Sequence, residues 1–209
     1  MLSFREHCQL DEVFTKPLPI EVTMRPQAWT AGFTVPGSPD DPRGRDKDYE
    51  VNFSQRLARP RMPGSGLMIP KVLNTSNVAW ELTFQSDDRD NSFGVTGGGQ
   101  AFTVFATVIH ALKVFVQKTR PRPFIVFTAK EASREKLYDR FVRMVKPAVP
   151  GMHGFKLDNT ESLRSTIGGA GQQGYVIVPR HISLHPVYSL ANVWHNKGDA
   201  AADEFLSSL

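Results

Sequence analysis

The residues of this chain best placed to do chemistry are glycines set directly before a helical pattern. Gly94-Val95-Thr96-Gly97-Gly98-Gly99 runs into Gln100-Ala101-Phe102, where an apolar period of three and four residues begins. The first amides of a helix have no partner within it, and the helix dipole places positive potential behind them. A phosphate suits such a turn, held by the amides of Gly97 to Ala101. The same glycines equally suit a tight strand-to-helix turn that needs positive φ and holds no ligand. Tyr138 is the second candidate. A phenol held in a cleft can serve as a general acid. Packed against a core, the same residue is a ring with its hydroxyl at the edge. Glu81 and Glu131 are carboxylates that could serve as a general base. Glu81 falls in a strand, on the face opposite Trp80, Leu82 and Phe84, so it meets either a cleft or solvent. Arg134 and Lys136 precede Tyr138 and would meet phosphates or water.

The elements that must position these residues follow from the hydrophobic pattern. Residues 20–35 predict a hairpin, with Ile20, Val22 and Met24 alternating before Pro26-Gln27 and Trp29, Ala31, Phe33 and Val35 after it. Tyr49, Val51 and Phe53 mark a strand, and Val78, Trp80, Leu82 and Phe84 mark another across residues 77–85. Phe105, Val108, Ile109, Leu112, Phe115 and Val116 give residues 99–118 one wide apolar face. The run Pro123–Thr128 reads as a strand buried on both sides. Residues 131–146 form a second helix with Leu137, Phe141, Val142 and Val145 inward. Short strands follow at 153–157 and 175–178, with a helix from Thr160 to about Ile167 between them. A small helix near Asp199–Leu206 closes the chain. The fold class expected is α/β (α+β): a mixed, mainly antiparallel sheet with helices on its faces. Residues 1–19 would be an N-terminal arm, 20–180 the domain, and 181–209 a C-terminal tail.

Composition excludes several classes. With 209 residues there is room for one domain with a core. A single cysteine, Cys8, forms no internal disulfide and no paired-cysteine zinc site. His181 and His185 have helical metal spacing, but Pro186 breaks the helix they would need, so no metal is expected. No GxSxG motif is present. No run approaches the ~18 apolar residues of a membrane span, and the first twelve residues lack the apolar centre of a secretory signal. A location in the cytoplasm is expected. The net charge of +4 is modest, and Asp40, Asp41, Asp46 and Asp48 dilute the loop arginines, so nucleic acid is not an expected partner.

Taken together, the glycine turn, the helix 99–118, the strand 123–128, Leu137-Tyr138 and Gly154-Phe155 resemble the GNAT N-acyltransferases in their order and spacing, with a stretch from Tyr138 to Gly154-Phe155 much longer than is usual in that family. In that family a loop of the form Gln/Arg-x-x-Gly-x-Gly/Ala opens a helix that holds the pyrophosphate of acetyl-CoA, and a Leu-Tyr helix follows the next strand. The resemblance covers roughly residues 77–178. It implies a GNAT-like sheet and acetyl-CoA as cofactor, held by Val95, Gly97, Gly98, Gly99, Gln100, Ala101 and Arg134. It also implies Tyr138 as general acid, with Glu81 as the strand carboxylate. The sequence departs from the pattern at Gly94, which stands at the Gln/Arg position, at Glu131, which replaces an Asn, and at Arg134, which replaces a small residue.

The segments VTGGGQAFTVFATVIHAL and SREKLYDR are similar to a set of tailed-phage proteins. Leu10-Asp11-Glu12 resembles the end of the targeting segment of internal head proteins, and is equally a short docking helix. The resemblance therefore implies a phage-encoded, acyl-CoA-binding protein that transfers acetyl to an amine, found in the host cytoplasm or the virion. The alternative is a non-catalytic virion component. Its irregular arms, 1–19, 36–48, 57–76 and 181–209, would then contact neighbouring subunits.

Overall fold

Alternation builds the first strands. A computed structural model describes residues 16–37, 46–57, 78–86, 100–129, 132–157 and 173–183, with Val193, Asn196, Lys197, Ala200, Ala201 and Glu204 of the tail. Strand β1 is Glu21–Arg25, β2 is Ala28–Val35 and β3 is Lys47–Leu57. In β2 every second residue is buried, namely Trp29, Ala31, Phe33 and Val35. Strand β4 is Val78–Ser86, and helix α1 is Gln100–Lys118. Strand β5 is Ile125–Ala129, helix α2 is Ala132–Ala148, β6 is Met152–Lys156 and β7 is Gln173–Pro179. All seven strands join one sheet in the order β1-β2-β3-β4-β5-β7-β6. Pairing is antiparallel for β1–β2, β5–β7 and β6–β7, and parallel for β4–β5. The α+β class and the mixed sheet are those expected from the pattern. The expected helix at 160–167 lies outside the described residues, as does the segment around Leu10-Asp11-Glu12. Of the expected 199–206 helix, Ala200, Ala201 and Glu204 are described and helical.

Two compact units make up the chain: Met1–Phe53 with Thr83–Lys118, and Ser54–Leu82 with Thr119–Leu209. In the first unit, α1 supplies the core. Phe115 stacks on Phe53 at 4.0 Å between ring centroids, and Trp29 meets Phe53 nearly edge-on at 5.4 Å. Thr107 is fully buried in α1. Its hydroxyl donates to the Thr103 carbonyl at 2.8 Å and accepts from the Leu18 amide at 2.9 Å, which ties residues 16–20 to the helix. A buried hydroxyl needs such partners to offset its lost hydration.

In the second unit, β7 is the central strand. All seven of its residues are buried, as a strand paired on both edges and covered by a helix requires. Helix α2 lies over β5, β7 and β6, with Phe141, Val142 and Val145 buried beneath it. Gly154 of β6 permits this approach. A Cβ there would stand 2.7 Å from the Val142 carbonyl oxygen and 2.8 Å from its Cα. Gly151 turns the chain out of α2 with φ of 81°, a conformation other residues reach only at a cost. Arg180 ties the turn. Its side chain donates to the carbonyls of Met152 and Lys146, and its amide donates to the Gly151 carbonyl.

Candidate functional site

Tyr138 stands on a platform of two aromatic rings. Phe127 of β5 and Tyr175 of β7 are register partners, so both point to the face that α2 covers. Their rings stack at 5.2 Å and 10°. Tyr138 meets them edge-on, 5.3 Å from Phe127 and 5.7 Å from Tyr175, each at 85°. Phe141, one turn further along α2, meets Phe127 at the same angle. Edge-to-face rings fix a side chain's direction more tightly than an aliphatic contact does. Tyr138 is half-buried in this setting.

The platform is itself anchored by charge. Lys156 of β6 is the register partner of Tyr175, so Phe127, Tyr175 and Lys156 form a row across three strands. The Tyr175 hydroxyl donates to Asp139 Oδ1 at 2.8 Å, with the Glu135 carbonyl at 3.1 Å as a second acceptor. Lys156 Nζ lies 3.1 Å from Asp139 Oδ1 and 3.7 Å from Glu135 Oε2. Burial alone would raise the Asp139 pKa. The hydrogen bonds from Tyr175 and Lys156 outweigh it, helped by the charges of Lys156 and Arg143, and hold the carboxyl below its ordinary value. The Tyr175 phenol is pushed far up, first by burial and then by the Asp139 carboxylate beside it. At neutral pH the Tyr175–Asp139 pair is therefore a protonated phenol donating to an ionised carboxylate. Sequence reasoning missed this group, because its members meet only when β7 enters between β5 and β6.

Glu81 is placed elsewhere. It pairs with Val126 in the parallel β4–β5 ladder, so it shares the face of Val126 and not that of Phe127. By alternation, Tyr138 and Glu81 lie on opposite faces of the sheet, and the structure does not bring them together. Of the glycine turn, Val95, Gly97, Gly98 and Gly99 lie outside the described residues. Gln100 opens α1 and Ala101 follows, and the first turn of α1 carries no acidic residue to repel an anion. Arg134 lies in the first turn of α2.

A second feature lies in the first unit. A cavity of about 670 Å³ is lined by Glu21, Asp48 and Glu50 with Gly32, Thr34 and Gln85, among others. Asp48 accepts from the Thr34 hydroxyl at 2.6 Å, and Gln85 Nε2 reaches Glu50 at 3.4 Å. The signal in the sequence was the alternation within β3, where Asp48 and Glu50 alternate with Tyr49 and Val51. Among the described residues, no group of three or more His, Cys, Asp or Glu is arranged to hold a metal ion. No helix among them is long and apolar enough to cross a membrane.

Comparison with family models, with curated proteins and with solved structures gives no match to this chain.

Proposed function

We propose that the chain binds an acyl-CoA as a GNAT-type protein, with Tyr138 as proton donor in transfer of the acyl group to an amine. One observation carries this reading. Strand β5 pairs with β7 along all five of its residues, but its parallel ladder with β4 covers only Ile125 and Val126. A parallel pair that parts after two residues leaves Phe127 to Ala129 beyond that ladder. An acyl-CoA carries amides along an extended arm, which suits a strand edge of this kind. In the first unit, the helix that opens at Gln100 carries no acidic residue in its first turn, which suits an anion. When bound, acyl-CoA supplies the activated thioester. The chain supplies Tyr138 of α2, oriented by Phe127 of β5 and Tyr175 of β7 beside it.

A non-catalytic, virion-type role is the second reading, and the position of Glu81 favours it. Among the described residues, the carboxylates on the face of Tyr138 include Glu135 and Asp139, and both are engaged by Lys156. Neither is positioned as a base. Thiol release from acetyl-CoA across a panel of primary amines, alongside equilibrium dialysis of acetyl-CoA, separates the readings. Turnover that falls at least tenfold in Tyr138→Phe while binding holds supports transfer. Binding without turnover leaves a carrier or scaffold. No binding removes both roles for the ligand.

A further inference from the structure

Strand β1 is an edge of the sheet, and among the described residues only β2 pairs with it. All five of its residues are exposed. Val22 is paired with Ala31, and Met24 with Trp29. Ala31 and Trp29 are 0% and 2% exposed, whereas Val22 and Met24 are 37% and 63% exposed. The apolar face of the first unit therefore runs out to the edge strand and meets solvent there. These two are the exposed large hydrophobic residues among the described ones.

The backbone of β1 is arranged for a partner as well. Pro26-Gln27 is a two-residue turn closed by the pair Arg25 and Ala28. In such a hairpin the closing pair is the hydrogen-bonded kind, and the kinds then alternate. Arg25, Thr23 and Glu21 direct their amides and carbonyls at β2. Val22 and Met24 direct theirs outward, which makes the edge a template for another strand.

We infer that the occupant is a second copy of this chain, with the two β1 strands antiparallel about Thr23. The order Glu21-Val22-Thr23-Met24-Arg25 complements itself only in that direction. Antiparallel pairing sets Glu21 against Arg25 of the second copy at both ends, and Val22 against Met24 on the apolar face. Parallel pairing would set Glu21 against Glu21 and Arg25 against Arg25, which is destabilising. Glu21 also lines the cavity that holds Asp48 and Glu50, so an arriving guanidinium meets their field too. The pairing is two-fold symmetric and closes on itself. A five-residue ladder falls short of the ~1,000 Å² that a stable interface takes, so the association is reversible and concentration-dependent.

Sedimentation of the full chain over a hundredfold concentration range tests this. The wild type should pass from monomer toward dimer. Glu21→Arg and Arg25→Glu should each weaken dimerisation at least tenfold, and the double variant should restore it. Both positions are exposed, and circular dichroism checks that each variant is folded. A register test uses Thr23→Cys in a Cys8→Ser background. Directly opposed residues of the non-bonded kind have Cα atoms ~4.5 Å apart, within the ~4.4–6.8 Å a disulfide spans. Mild oxidation should cross-link this variant, but not one with the exposed Gln117→Cys. A wild type that stays monomeric throughout, a dimer indifferent to the single charge reversals, or no selective cross-link at position 23 would overturn the inference.

Discussion

Replacing Tyr175 with phenylalanine isolates the bond that anchors the aromatic platform. The ring, and its stack on Phe127 at 5.2 Å, survive the change. The hydroxyl bond to Asp139 at 2.8 Å is lost. A hydrogen bond to a charged group contributes about 1.5–3 kcal/mol. Asp139 keeps 26% of its side chain exposed, and Lys156 remains beside it. Solvent and Lys156 therefore compensate in part, and the expected loss at pH 7 is about 1.5–2 kcal/mol. The sign of its pH dependence follows from Asp139. Its folded pKa lies below the ordinary 3.8, so its contribution is complete above that value and is lost as the pH falls through the folded pKa. Tyr175 acts at the other end. Its folded pKa is raised above 10, so its contribution is complete below pH 10 and is lost as the pH climbs beyond it, by about 1.4 kcal/mol per unit. Urea unfolding of wild type and Tyr175→Phe at pH 2.5, 7 and 11 reads all three limits. The gap should be widest at pH 7 and narrow in both directions. Equal stabilities at pH 7, or a gap unchanged at pH 2.5, would refute the reasoning.

Three further outcomes follow from the packing. Gly154→Ala forces its methyl against the Val142 backbone, 2.7 Å from the carbonyl oxygen, and should cost about 1–3 kcal/mol by urea unfolding, with a shift in the Phe141 ring signals. Gly151→Ala must hold a φ of 81° and should cost about 1–2 kcal/mol in the same assay. Phe115→Ala empties the stack on Phe53 and should cost about 3–5 kcal/mol, read as a fall in the urea midpoint.

Much of the sheet was legible because alternation and burial share one cause. Trp29, Ala31, Phe33 and Val35 alternate in the sequence and are buried in the structure. The apolar run before Thr128 is a strand buried on both faces, and the period of Phe105 through Val116 is α1. Strand β3 extends beyond Tyr49, Val51 and Phe53 to Lys47 and Leu57, because a ladder is held by backbone bonds and does not stop where the apolar alternation does. The Tyr175, Asp139 and Lys156 group was not legible. It depends on β7 pairing between β5 and β6, a long-range choice with no local signal. The separation of Glu81 from Tyr138 was half legible. Alternation put Glu81 opposite Trp80, but only the register with Val126 and the position of α2 show which face Tyr138 takes.

The most direct measurement is calorimetric titration of the full chain with acetyl-CoA, beside a Gly98→Glu variant that places a carboxylate in the glycine turn. Micromolar binding by the wild type, about 8 kcal/mol, abolished in the variant, is the result expected. A folded wild type that takes up no acetyl-CoA, or a variant that binds equally well, would contradict the proposed site.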